Sequence, residues 1–128
     1  MSTEGKSAFE RMYATIDPLI ELVFCAADEC QIRGEYEIAI RLYKEIIEKE
    51  PNNGRAFQKV ADCLDHMGNH ADALVWYDKA LESDPNNAEV WYNKGLTLRK
   101  TGYQEEGLSC IQKGISLAMS APSPRYRV

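Results

Sequence analysis

Large apolar, very small and polar positions return along this chain at one fixed spacing. Gly34, Gly68 and Gly102 recur every 34 residues, and Pro51 and Pro85 keep the same step. Between these marks Val23, Phe57 and Trp91 are large and apolar, while Ala27, Ala61 and Gly95 are tiny. Cys30, Leu64 and Leu98 are apolar again, followed by small Ala39, Ala73 and Gly107. Tyr43, Tyr77 and Ile111 come next, then Ile47, Leu81 and Ile115. A period of this length, with helical spacing inside each unit, predicts a stack of helical hairpins.

The elements follow from that pattern. Ser7 before Phe9, Met12, Tyr13 and Ile16, with Glu10 completing a capping box, predicts a short helix over residues 8–16 that covers the first unit. Asp17-Pro18 ends it, because the residue before proline is driven out of the helical region. Helices are then expected over 19–33 and 36–49, over 55–67 and 70–83, and over 89–101 and 103–118. A glycine stops the first helix of each pair, and the short links force antiparallel neighbours. The small pairs Ala27/Ala39, Ala61/Ala73 and Gly95/Gly107 mark where the two helices of a hairpin approach closely. Gly107 and Gly114 are each expected to weaken the last helix by about 1 kcal/mol relative to alanine. With nothing legible to cover that helix, Ile111 and Ile115 are expected to stay partly exposed, and residues 119–128 to form a flexible tail.

Composition narrows the classes. Apolar residues make up 45% and charged residues 27% of the 128, the balance of an ordinary soluble chain. No apolar run is long enough to span a bilayer, and Glu10 and Arg11 interrupt any signal-peptide core. The expected location is cytoplasmic, away from membranes. The net charge of −5 is graded: residues 20–53 carry eight acids and four bases, residues 88–121 three acids and four bases. That gradient lacks the basic stripe of a nucleic-acid binder, but permits head-to-tail association or a ligand of polarised charge. Cys25, Cys30, Cys63 and Cys110 fall at helical positions without zinc-type spacing, so reduced and mostly buried thiols are expected.

At Trp91-Tyr92-Asn93-x-Gly95, Leu98, Gly102 and Gly107, and at Ala73, Tyr77, Ala80-Leu81 and Asp84-Pro85-Asn86-Asn87, the chain resembles the tetratricopeptide repeat (TPR) family. The resemblance covers residues 20–118 as three repeats, 20–53, 54–87 and 88–118. Lys94, Gly114 and Met119 depart from the family pattern. It implies an all-α, right-handed superhelical solenoid of three hairpins, with the first helix of each lining a concave groove. It also implies a non-enzymatic module that holds a peptide or protein, without a cofactor.

Transferred position by position, the groove would take Glu21, Phe24, Asp28, Gln31 and Ile32 from the first unit. The second would give Arg55, Gln58, Lys59, Asp62, Asp65 and His66, and the third Glu89, Tyr92, Asn93, Leu96, Arg99 and Lys100. One subclass grips a C-terminal carboxylate with cations and amides where this chain has Phe24, Asp28, Lys59, Glu89 and Asn93. Two acids at those places speak against such a clamp.

Phe24, Ile32, Tyr92 and Leu96 would put apolar side chains on a solvated surface, the mark of a docking patch. Asp28, Asp62 and Asp65 would select basic groups near one end, and Arg99 and Lys100 acidic groups near the other. Asp62 and His66 lie four apart on a helix, but no third ligand or supporting shell for a metal is legible. Cys63 precedes His66 by three, yet its phase points inward, away from the role of a nucleophile. The expected function is therefore peptide or protein binding in the groove. The alternative is a self-assembling subunit, a homodimer formed through Ile111 and Ile115 of the uncapped third repeat.

Overall fold

The computed structural model describes residues 17–120. Six helices follow one another as three antiparallel hairpins: α1 (Pro18–Ile32) with α2 (Tyr36–Lys49), α3 (Gly54–His66) with α4 (His70–Ser83), and α5 (Ala88–Lys100) with α6 (Gln104–Ser120). The helix expected over residues 8–16 lies outside the described residues, as does the tail beyond Ser120. Asp17 caps α1. Its side chain accepts a hydrogen bond from the Leu19 amide at 2.9 Å, and Pro18 occupies the first turn, where its missing N–H costs nothing. Asn53 and Asn87 cap α3 and α5 in the same way, accepting from the amides of Ala56 and Val90.

Each hairpin turns on a glycine with positive φ, at 80° for Gly34, 86° for Gly68 and 95° for Gly102. An added Cβ would meet nothing within 4 Å at any of the three. The constraint is backbone conformation, which disfavours every residue with a side chain.

The core runs along the seams. Ile20, Phe24, Ala27, Ala39, Tyr43 and Ile46 of the first hairpin close over Ala56, Val60 and Cys63 of the next. Ala61, Ala73, Tyr77, Ala80 and Leu81 then close over Val90. The small pairs do what the sequence predicts, most visibly in the third hairpin. A Cβ on Gly95 would stand 2.6 Å from the Gly107 carbonyl oxygen, and one on Gly107 would stand 2.7 Å from the Gly95 carbonyl oxygen.

Gly114 corrects an expectation. A Cβ there would fall 2.8 Å from the Ala88 carbonyl oxygen and 3.0 Å from the Tyr92 amide. The glycine is a third point of close approach, not a loose spot, and α6 runs unbroken to Ser120. Residues 119 and 120 therefore belong to the helix rather than to a tail. Ile111 is a second correction. It is buried, because it fills the space that Gly95 leaves open, and is thereby removed from the self-association candidates. Ile115 remains half exposed at 51%.

Candidate functional site

The first helices of the three hairpins carry the predicted groove residues, and the structure sorts these into distinct groups. Asp28, Ile32, Lys59 and His66 come together. With Gln31 and Tyr36 they line an open hollow of about 410 Å³ between the first two hairpins. Ile32 is 86% exposed at its edge. The His66 ring stacks on Tyr36 with centroids 5.4 Å apart, and the Lys59 ammonium lies 3.6 Å from the Asp28 carboxylate. Tyr36 was not singled out from sequence. It sits on α2, and only the turn at Gly34 swings it toward α3.

Phe24 does not belong to this surface. It is 1% exposed, tilted against Tyr43 at 6.1 Å, and the Arg55 guanidinium covers its face at 3.9 Å. The fifth position of a repeat is sealed by the following hairpin, so burial decides against a groove role. Its counterparts show the same rule: Gln58 is buried by the third hairpin, while Tyr92, with no hairpin after it, is 43% exposed.

The remaining charges are largely committed to each other. Arg55 reaches Glu21 at 3.2 Å and Asp28 at 3.8 Å. Gln58 donates to Glu89 at 2.8 Å. Asp62 accepts from the Tyr77 hydroxyl at 2.5 Å and from Asn93 at 3.3 Å. Asp65 binds Lys100 at 2.8 Å, Thr97 at 2.9 Å and His70 at 2.7 Å. Arg99 stands apart, its Nε bonded to Gln104 at 3.1 Å beside Glu105 and Leu108. Leu96 is half-buried.

The two aspartates of α3 titrate in opposite directions. Burial, helped by the Glu89 charge, pushes the Asp62 carboxyl up against the hydrogen bonds that favour its ionised form. Burial also acts upward on Asp65, but hydrogen bonds from Lys100, His70 and Thr97 outweigh it and hold that carboxyl below the usual range.

The candidates for chemistry are engaged otherwise. His66 Nδ1 lies 2.7 Å from the Asp62 backbone carbonyl oxygen rather than against its carboxylate. Burial first and then the Asp62 charge push the Cys63 thiol up to about 12, so it stays protonated at neutral pH. Cys25, by contrast, is exposed, against the expectation of mostly buried thiols. Trp76 packs on Phe57 at 6.0 Å, with the Lys79 ammonium 4.2 Å from its ring, while Val75 beside it is exposed. Among the described residues, no helix is long and apolar enough to cross a membrane.

Comparison with known proteins agrees with this architecture. A tetratricopeptide repeat family model matches residues 32–95 and a second matches residues 88–118. Tetratricopeptide repeat protein 21B of Xenopus laevis is 31% identical over 96 residues, covering 73% of this chain and 7% of that protein. The Sgt2 TPR domain from Aspergillus fumigatus superposes with a TM-score of 0.77 at 22% identity, covering 84% of this chain and 71% of that one. The Yersinia enterocolitica type III secretion translocator chaperone SycD superposes at 0.78 with 18% identity, over 84% of this chain and 82% of that one. The chain spans only 7% to 24% of the length of the longer curated relatives it matches. Three hairpins in one register, sealed seam by seam in the order the repeat predicts, make the chain a member of the tetratricopeptide repeat family.

Proposed function

We propose that this chain is a protein-interaction module, without catalytic activity or a carboxylate clamp, and that it receives its partner in the hollow between α1 and α3. The observation that carries the reading is the convergence of Asp28, Ile32, Lys59 and His66 on one open depression edged by an exposed isoleucine. A partner segment presenting an apolar side chain lays it on Ile32 and the Tyr36–His66 stack. Flanking polar groups of the segment meet Gln31 and the Lys59–Asp28 pair. Affinity then comes from the few desolvated apolar and aromatic contacts, and the charges set orientation and on-rate. Membership of a repeat family whose stacked helices form extended binding surfaces supports the reading.

Peptides selected from a displayed random library on the full chain give the test. The joint Lys59→Ala and His66→Ala variant is expected to lose about tenfold in affinity for them or more, with helix content unchanged by circular dichroism. Ile115→Glu, at the far end of the stack, leaves that affinity intact. Equal affinity for wild type and the joint variant sinks the hollow as the binding site.

A further inference from the structure

Both ends of the described stack carry faces that are covered wherever they recur inside it. At the trailing end, Ile115 is 51% exposed, whereas its counterpart Leu81 is 8% exposed beneath Val90 of the next hairpin. Leu108 and Tyr92 of the same hairpin are also exposed, at 49% and 43%. At the leading end, Leu22 of α1 is 65% exposed, yet its counterparts Ala56 and Val90 are fully buried against the hairpin before them. Leu19, at 69%, lies on the turn before Leu22.

From this we infer that a second copy of the chain docks head to tail, its α1 taking the place of a next first helix against α5 and α6. The internal seams supply the register. Leu81 closes on Val90 inside the chain, so Ile115 meets the equivalent residue of the incoming copy, Leu22. Asp65 is reached by Thr97 and Lys100 of the following hairpin. One repeat on, Arg99 stands in the place of Asp65, and Glu29 of the incoming copy in the place of Thr97. Where the chain has a hydrogen bond from neutral Thr97, the junction thus sets opposite charges against each other, while the place of Lys100 falls to the apolar Ile32. Asp62 meets Asn93 inside the chain; at the junction this pair becomes Leu96 against Cys25, both without charge.

Arg99 and Asp65 share one local contact within their own hairpins. Each bonds the side chain five residues on, His70 for Asp65 and Gln104 for Arg99. The acidic first repeat and the basic third agree with this pairing. Two contacts oppose it: Glu29 is already held by Arg33 at 2.8 Å, and a like-charge pair forms at the junction. Glu89 would stand near Glu21 of the incoming copy, where Glu21 meets Arg55 inside the chain.

A head-to-tail contact presents different surfaces on the two copies and does not close on itself, so it grows beyond a dimer. Light scattering on the full chain over a wide concentration range should show molar mass rising without a plateau at twice that of the monomer, and falling with added salt. Arg99→Glu alone and Glu29→Arg alone should each shift assembly to concentrations about tenfold higher. The double variant carrying both changes regains wild-type assembly, and so does an equimolar mixture of the two single variants. Ile115→Glu abolishes assembly while helix content stays unchanged, and Glu21→Lys strengthens it.

A monomer at every concentration overturns the inference and leaves the α1 face to other cover. A mass that levels off at the dimer overturns it in favour of a two-fold contact. Failure of the double charge swap to restore assembly overturns the Arg99–Glu29 register. The hollow between α1 and α3 is tested by different residues, so either reading can fall without the other.

Discussion

The second and third hairpins solve the same packing problem with different chemistry. In the second, Ala61 and Ala73 are fully buried in the seam, and Tyr77 from α4 reaches across to donate to Asp62 of α3. Burial and the adjacent Asp62 charge push the Tyr77 hydroxyl up, so it remains a donor at any ordinary pH. The first hairpin does the same with Tyr43 and Asp28. In the third, both members change together: Ile111 stands in place of the tyrosine and Leu96 in place of the aspartate. Gly95, Gly107 and Gly114 let the two backbones close on each other instead.

The paired change is what polar burial demands. A leucine alone would leave a buried hydroxyl without an acceptor, and an isoleucine alone a half-buried carboxylate without its nearest donor. What the repeat conserves along this chain is a filled seam, and the residues that fill it are exchangeable only as sets.

Placing alanine at both Gly95 and Gly107 is the strongest way to break that contrast. Helix propensity alone predicts a gain of about 1 kcal/mol at each site. The structure predicts the opposite sign, because each new Cβ would press on backbone atoms at 2.6–2.7 Å, and such overpacking costs about 1–3 kcal/mol. The double variant should therefore unfold at markedly lower urea concentration than wild type. A rise in midpoint would mean that the third seam is no tighter than the second.

A smaller effect comes from taking the latch out of the second hairpin. Tyr77→Phe removes the closest donor to Asp62 and leaves only Asn93 at 3.3 Å. The loss should be about 1–3 kcal/mol in equilibrium unfolding. Adding Asp62→Leu, so that the second seam resembles the third, should return much of it. The coupling between the two changes, read from a double-mutant cycle, measures the latch directly. Additive effects would show that hydroxyl and carboxylate are near each other without being partners.

The fold was legible in the sequence because its marks are periodic and local: turn glycines, Pro-Asn-Asn links after an acidic residue, and small residues facing each other across a hairpin. The surface was less legible because exposure depends on what comes next in the stack. Phe24, Gln58 and Tyr92 occupy one position of the repeat, yet only Tyr92 is exposed, for want of a following hairpin. Ile111 departs from the exposure its position suggests for a related reason. A helical pattern places it on an inner or outer face, but only the depth left by Gly95 shows that it sinks into its own hairpin. Nor could spacing show that Asp65, Thr97, His70 and Lys100 form one cluster, since these residues come from three helices.

The gentlest probe sets the two aspartates of α3 against each other through pH. Asp65 has a folded-state pKa below its unfolded value. Its contribution is present above pH about 4 and is lost as pH falls through the unfolded value toward the folded one. Asp65→Asn should therefore lower stability at pH 7, by less than about 1 kcal/mol given the exposure of Lys100, with the deficit shrinking in acid. Asp62 has the reverse sign. Its folded pKa is raised, chiefly by burial, so its ionised form is a burden to the fold at pH 7 that eases as pH falls through the folded value. Asp62→Asn keeps an oxygen to accept from Tyr77 and removes the charge, so it should match or exceed wild type at pH 7 and lose that margin in acid. If both variants follow one pH trend, the Lys100–His70–Thr97 cluster does not distinguish Asp65 from its neighbour one turn away, and the latch of the second seam rests on hydrogen bonding without regard to charge.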